Sequence, residues 1–458
     1  MNPFQLVLKN MRQRALSTWL TLLSVLLGVA LAIAIIILRR EAGSLFGQKD
    51  YGYEVIIGKK GSGTQLVMNT VYHLDVSPGN IPYSMYQDML NPAKFGRLAR
   101  IAVPYVVGDT YKGKYRIVGT STKLFGYSED DGKPLEPDHV LEYRPGKTYE
   151  LESGKVFAPN KFEAVIGSDL ATLTDLKIGT QFQATHGMPR PDETPDIHPE
   201  IWTVVGILKQ THTANDRVVF IPYRSLYTIG EHAAGLKAQW YIANHLPPPP
   251  PDIDPDKIPV YTLNPDKTFN LLVPREMWEI SAILVKTRGP WAADSLMYNI
   301  NNGNEAMAVN PASVMRQFFD TFLAGPTLVL LVVALLVTVV AGVGILVSIY
   351  NSVSARLREI AILRALGATR SRVLLLICLE SSLIGLIGGL LGILVGHVMA
   401  GIGSFYFDRY VGQGINWIST DRYEWIYLAA VVVLALIAGL VPAFKAYRTP
   451  VATNLVSG

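Results

Sequence analysis

Residues 351–372 read NSVSARLREIAILRALGATRSR. Five arginines (Arg356, Arg358, Arg364, Arg370 and Arg372) stand against one acid, Glu359. Leu357, Ile360, Leu363 (or Arg364) and Leu366 (or Gly367) recur at the three-to-four-residue spacing of one helix face. Gly367, with Ala368, can end that helix and let another begin. Apolar runs border the segment on both sides, at 327–349 and at 373–402, and each reaches the roughly 20 residues needed to cross a bilayer. The segment therefore reads as a short basic amphipathic helix fixed between two membrane spans. Two uses fit it: a lever gripped by a partner on its apolar face, or an interfacial helix that rests only on lipid.

Two further apolar runs, 17–38 and 425–443, bring the expected spans to four. Lys9, Arg12 and Arg14 precede the first run, as in a signal peptide. Its apolar part exceeds the usual h-region of about 7–15 residues, and Arg39, Arg40 and Glu41 follow in place of a small-residue cleavage site, so it reads as an uncleaved anchor. Lysine and arginine in short loops mark the cytoplasmic side. That rule places 351–372 in the cytoplasm, together with the lead-in 1–16 and the tail 444–458, which carries Lys445 and Arg448. The loop 403–424 is charge-balanced and rich in aromatics (Phe405, Tyr406, Phe407, Tyr410, Trp417, Tyr423), as an outer interface requires. Both termini are then inside, and 39–316 is outside. Only 17% of residues are charged, below the roughly 25% of soluble domains. The net charge of +4 is too small to suggest nucleic acid. Cys378 is the only cysteine, so the outer part must be held by its own core.

Within the outer part, β-like runs appear at Glu54–Ile57, Ile101–Val107, Tyr115–Val118, Trp202–Ile207, Val218–Ile221 and Ile280–Lys286. A helix is expected after Pro82, and another over Trp291–Asn301 before a strand at Ala306–Val309. The expected fold is membrane α-helical plus a large extracytoplasmic α+β domain. Its core halves lie at about 51–130 and 278–316, split by an almost wholly β-like insertion at about 136–240. The proline run Pro247–Pro251 makes 246–259 a stiff return linker.

The string REIAILRALGATR (358–370) resembles the coupling segment of the FtsX/MacB/LolC-type permeases, the type VII ABC family. The lead-in NMRQRALST (10–18), the glycine pattern GLIGGLLGILVG (385–396) and the close PAFKAYRTPVATNL (442–455) are similar too. So is the order of one span, a large outer domain and three spans. The outer domain resembles the MacB-like periplasmic core. VIIGKKGSGTQLVMNTVYHLDVSPGNIP (55–82) and VVGILKQTHTANDRVVFIPY (204–223) look like a subgroup of stand-alone permeases.

The resemblance implies a bacterial inner-membrane, multi-pass permease that dimerises with a second copy or a paralogue. It implies that Arg356, Leu357, Arg358, Glu359, Ile360, Ile362, Leu363, Arg364, Leu366 and Gly367 meet a cytosolic ABC ATPase subunit. ATP and Mg would be held on that subunit, so this chain is expected to need no cofactor and to be no enzyme itself. Motion would pass to the outer domain for export, or for extraction of a lipoprotein, lipid or hydrophobic substrate, with an outer-side adaptor or substrate-binding protein as a further partner. An FtsX-like regulator of an outer-side partner, such as a cell-wall hydrolase, is the alternative, although such regulators have a smaller outer domain. No P-loop occurs here, and the sequence begins 16 residues before the first span, so a fused ATPase is not expected.

Other motifs are weaker. Gly58–Thr64 (GKKGSGT) looks phosphate-binding, yet Walker A needs a lysine after its last glycine, and Thr64 follows Gly63. His186 and His198 share a polar, proline-rich stretch with Asp192, Glu193, Asp196 and Glu200; it reads as a solvated loop, with metal capture as the alternative. Histidine spacing forms no HExxH or paired ligand pattern. Glu380 lies inside the third span, where an acid either packs beside Ser381 and Ser382 near the interface or takes part in coupling. Gly385, Gly388, Gly389, Gly392 and Gly396 suit close helix approach at a dimer contact, or are plain span glycines.

Overall fold

Among the described residues, four helices are long and apolar enough to cross a membrane. In the computed structural model they run over Ala15–Phe46, Gly325–Ala355, Arg370–Val411 and Arg422–Arg448, here spans 1 to 4. They extend past the apolar runs at both ends, because a helix needs apolar side chains only where hydrocarbon surrounds it. Residues 3–46, 51–188, 194–244, 260–411 and 416–448 are described by the structure. The proline-rich return linker, Asp192, Glu193 and the close beyond Arg448 lie outside them. Two compact units result: a helical one, Met1–Gly47 with Phe319–Gly458, and a β-rich one, Gln48–Phe318.

In the β-rich unit ten strands form one mixed sheet. They are β1 (Val55–Lys59), β2 (Ala99–Tyr111), β3 (Tyr115–Thr120), β4 (Leu151–Gly154), β5 (Glu163–Ile166), β6 (Gln181–Thr185), β7 (Ile197–Leu208), β8 (Val219–Pro222), β9 (Ala282–Thr287) and β10 (Ala306–Val309). The order is β10-β1-β9-β2-β3-β8-β5-β7-β4, with β6 pairing β7 and β2. The late strands β9 and β10 flank β1 antiparallel, in the registers Val55↔Val285 and Ile56↔Val309. The helix Pro290–Asn302 joins them and buries Ala292, Leu296 and Ile300.

The expected insertion shares the sheet of the two core halves. Its strand β8 pairs in parallel with β3, Val219 opposite Ile117, so the sheet runs through it without a break. Its helices Ser168–Leu173 and Gly230–Ala243 also depart from the almost wholly β-like reading. Two hydrophobic centres hold the sheet. One gathers Tyr83, Tyr86, Tyr223, Tyr227 and Trp278 with Ile57, Ile283 and Leu296; the other surrounds Trp202 with Ile117, Ile166, Leu170 and Phe182. The buried Trp202 indole donates to Ser225 Oγ at 3.1 Å, as a buried N–H must. The GKKGSGT stretch is a helix start: Ser62 caps the helix Gly63–Val71 by accepting from the Gln65 amide at 3.3 Å.

Candidate functional site

Span 2 stops at Ala355 because Arg356 leaves helical geometry, with φ −114° and ψ 15°, and becomes the cap of a second helix, Leu357–Ala365. The Arg356 guanidinium donates to the Asn10 carbonyl at 3.3 Å and to Gln13 Oε1 at 3.5 Å. These bonds tie the break to the N-terminal helix Pro3–Gln13. That helix sets Val7 and Met11 into one core with Val353, Val373 and Ile377, and leaves Lys9 and Arg12 exposed.

Helix Leu357–Ala365 ends in a Schellman turn. The Ala368 amide donates to the Leu363 carbonyl at 3.0 Å and the Gly367 amide to Arg364 at 3.1 Å. Gly367 supplies the positive φ of 100° that the turn needs. Thr369 then caps span 3 by accepting from the Arg372 amide at 3.3 Å. Only a few residues therefore separate three helices, and each junction is closed by hydrogen bonds.

The expected apolar stripe through Leu357, Ile360, Leu363 and Leu366 divides between two faces. Leu357, Ile360 and Ala361 pack into the helical core. Glu359, Ile362, Leu363 and Leu366, at i, i+3, i+4 and i+7, lie on the opposite side and are exposed, Leu366 at 81%. The physical reason is tethering. A short helix clamped at both ends must spend one face on holding itself against the spans, so only the other face is free. Arg358 is exposed, and Arg364 is half-buried.

Along one edge of the helix, where its packed and exposed faces meet, lies a cavity of about 120 Å³ lined by Ser352, Arg356, Glu359, Ile360, Leu363 and Glu380, among others. Glu380 thus shares a pocket with Arg356 and Glu359. Beside it, Ser381 is buried and donates to the Cys378 carbonyl at 3.0 Å.

The five glycines of span 3 pack against the chain's own helices. A Cβ on Gly388, Gly392 or Gly396 would lie 2.9, 2.6 or 2.8 Å from the Cβ of Val25, Val29 or Ile33 of span 1. On Gly385 or Gly389 it would meet Ala435 Cβ at 2.6 Å or Leu428 Cδ1 at 2.4 Å, both of span 4. Spacings of four residues on both helices let span 1 seat its β-branched side chains in the glycine row of span 3. At the other end of these helices, His397 Nε2 and the buried Glu424 carboxylate lie 2.9 Å apart. Arg40 pairs with Glu41 at 2.9 Å and donates to the carbonyls of Asn416 and Ser419. Arg40, near the C-terminal end of the first span, is therefore locally neutralised. Nothing in the sequence signals the bonds from Arg40 to Asn416 and Ser419, because they join positions 376 and 379 residues apart.

Span 3 is thus locked to spans 1 and 4 by glycine contacts, and spans 2 and 3 are joined through one capped helix that offers an apolar face with one acid. Such an assembly can carry a push on that face into the bundle as one body. Comparison with known proteins points the same way. Residues 18–246 match the MacB-like periplasmic core domain, and residues 331–451 match the FtsX-like permease C-terminal model. The macrolide export ATP-binding/permease protein MacB of Psychrobacter arcticus is 27% identical over 149 residues, 32% of this chain and 21% of that protein. MacB of Rhodopirellula baltica is 31% identical over 146 residues, 31% of this chain and 20% of that protein. An uncharacterized ABC transporter permease of Methanocaldococcus jannaschii is 26% identical over 153 residues, 33% of this chain and 37% of that protein. The chain spans about a fifth of the length of the two MacB relatives.

Proposed function

The chain belongs to the MacB/FtsX-like family of ABC transporter permeases, and from that premise we propose that it couples a partner ATPase to movement of its β-rich unit. The exposed face Glu359–Ile362–Leu363–Leu366 is the observation that carries the reading. It is apolar, it sits on a helix fixed at both ends, and it is the kind of surface a groove on a soluble ATPase takes up. ATP is bound with Mg and hydrolysed on that partner. Closure of the ATPase displaces the short helix, and spans 2 and 3 move with it. The β-rich unit then pushes on, or releases, a lipoprotein, lipid or other hydrophobic substrate outside the membrane.

In this scheme the membrane is the bacterial inner membrane, both termini are cytoplasmic and the β-rich unit is periplasmic. A second copy or paralogue completes a dimer, and an outer-side adaptor receives the substrate. The relatives named for macrolide export combine ATP-binding and permease parts, which supports an ATPase as the partner. The test is co-purification with the cognate ATPase. Leu363→Ser with Leu366→Ser should weaken the complex at least tenfold and leave membrane insertion intact. An unchanged complex with unchanged ATP turnover would refute the docking face. Cysteine labelling that found Leu366 and the β-rich unit on one side of the membrane would refute the whole scheme.

A further inference from the structure

His186, His198 and His232 come together in the folded β-rich unit, around Asp109. Each is delivered by an identifiable feature of the backbone. Asp109 lies where the pairing of β2 with β3 slips between Val107 and Thr110. That bulge turns the carboxylate inward until the residue is 1% exposed. His198 lies where the pairing of β7 with β6 slips between Ile197 and Ile201. Pro199, which cannot donate to the ladder, belongs to that break, and His198 is buried, not part of a solvated loop. His186 follows the last residue of β6. The Thr110 hydroxyl donates to the Gly187 carbonyl at 2.6 Å and holds that turn against the Asp109 strand. His232 stands in the first turn of the helix Gly230–Ala243.

One potential ligand atom from each of the four lies within 4.8 Å of every other. Nε2 of His198 and of His232 is 3.5 Å from an Asp109 oxygen, and Nδ1 of His186 is 3.8 Å away. These distances are long for hydrogen bonds. Both Asp109 oxygens and His198 Nε2 are buried without a hydrogen-bond partner among the described residues. A buried carboxylate left so is costly. His232 Nδ1 lies 3.2 Å from the Leu226 carbonyl and must donate to it. In the neutral ring, Nε2 is then a lone pair aimed at Asp109. Two acceptors facing each other need a proton or a metal ion between them.

The three imidazole centres are 5.1, 5.3 and 5.5 Å apart. Imidazoles bound tetrahedrally at about 2.0–2.1 Å from zinc would have centres about 5.2 Å apart. His186 is 52% exposed and leaves a way in. We propose that Asp109, His186, His198 and His232 form a site for a divalent transition-metal ion of the zinc class. Three imidazoles and one carboxylate suit zinc or cobalt and do not suit magnesium or calcium, which take oxygen ligands.

The test uses the full-length protein in detergent, stripped with EDTA and titrated with Zn²⁺ against a chromophoric chelator and with Co²⁺ by visible absorption. One ion per chain is expected, with the spectrum of tetrahedral cobalt and no competition from Mg²⁺. Losing a supporting residue behind a ligand costs about 10–100-fold in affinity, so losing a ligand in His198→Gln or Asp109→Asn should cost at least about 100-fold. Should those buried variants fail to fold, His186→Gln, exposed and free to fold, should still weaken binding at least about tenfold. His212→Gln, at an exposed histidine elsewhere in the unit, should change nothing. Wild-type affinity no tighter than that of His186→Gln, or an equal loss in His212→Gln, would overturn the site and show the histidines to be protonated partners of Asp109.

Discussion

Replacing Gly392 with alanine tests the packing that makes the helical unit one body. The new Cβ would lie 2.6 Å from Val29 Cβ, 2.8 Å from Val29 Cγ1 and 2.9 Å from the Leu26 carbonyl oxygen. Carbon atoms in good contact sit about 3.5–4.0 Å apart, so span 1 must retreat from span 3 by about 1 Å. The contacts nearest to the added atom are one backbone oxygen and a Cβ fixed to its own helix, so rotamer changes cannot relieve the clash. Overpacking of this kind costs about 1–3 kcal/mol, partly offset by the roughly 0.5–1 kcal/mol that alanine gains over glycine inside a helix. The net cost should be about 0.5–2 kcal/mol, or a fall of a few degrees in the thermal midpoint.

Gly403 lies in the same helix, and a Cβ added there would meet nothing within 4 Å. Gly403→Ala should therefore be neutral or raise the midpoint. The assay is thermal unfolding of detergent-solubilised protein, with oligomeric state followed in parallel. Adding Val29→Gly to Gly392→Ala should recover part of the loss, as a double-mutant cycle would register. If Gly392→Ala behaves like Gly403→Ala, the seam is not tight. If it dissociates a dimer without lowering protomer stability, the glycines face another chain, and the packing argument fails.

Three further outcomes are expected. Leu363→Ser with Leu366→Ser should weaken ATPase association at least tenfold in a pull-down titration, since a fully buried leucine contributes about 1.5–3 kcal/mol. Gly367→Ala must hold a Cβ at φ 100°, costing about 1–2 kcal/mol; a lower thermal midpoint together with reduced ATP turnover of the complex would register it, and a wild-type midpoint would count against the Schellman turn. Buried His73 donates from Nε2 to Asn215 Oδ1 at 2.9 Å, and burial pushes its pKa down to about 4. As pH falls below the unfolded value of about 6.5, the unfolded chain takes up the proton first. The stability from His73 is therefore whole above about 6.5 and is lost between there and about 4, by roughly 3 kcal/mol. Denaturant unfolding across that range should be less pH-dependent in His73→Gln than in wild type, and equal slopes would refute the assignment.

Hydropathy and charge acting over short stretches determined much of this protein. The four spans, the break at Gly367 and the acid-poor linker between spans 2 and 3 can all be read from neighbouring residues, because helix length, capping and glycine conformation are local properties. The strands expected at Ile101–Val107, Tyr115–Val118 and Ala306–Val309 are legible for the same reason: each is a short apolar run visible within a few residues. Tertiary structure alone decided the rest. Leu357 and Leu363 belong to one series of apolar residues three positions apart, yet one packs inward and the other outward, because the neighbouring spans select which face of the short helix is covered. The span 3 glycines announce close approach but not whose side chains fill them. Val219 joins Ile117 in a sheet that local patterning divides in two, and two bulges bring Asp109 to His198. These are long-range pairings and one-residue slips in register, and composition or local periodicity carries no record of either.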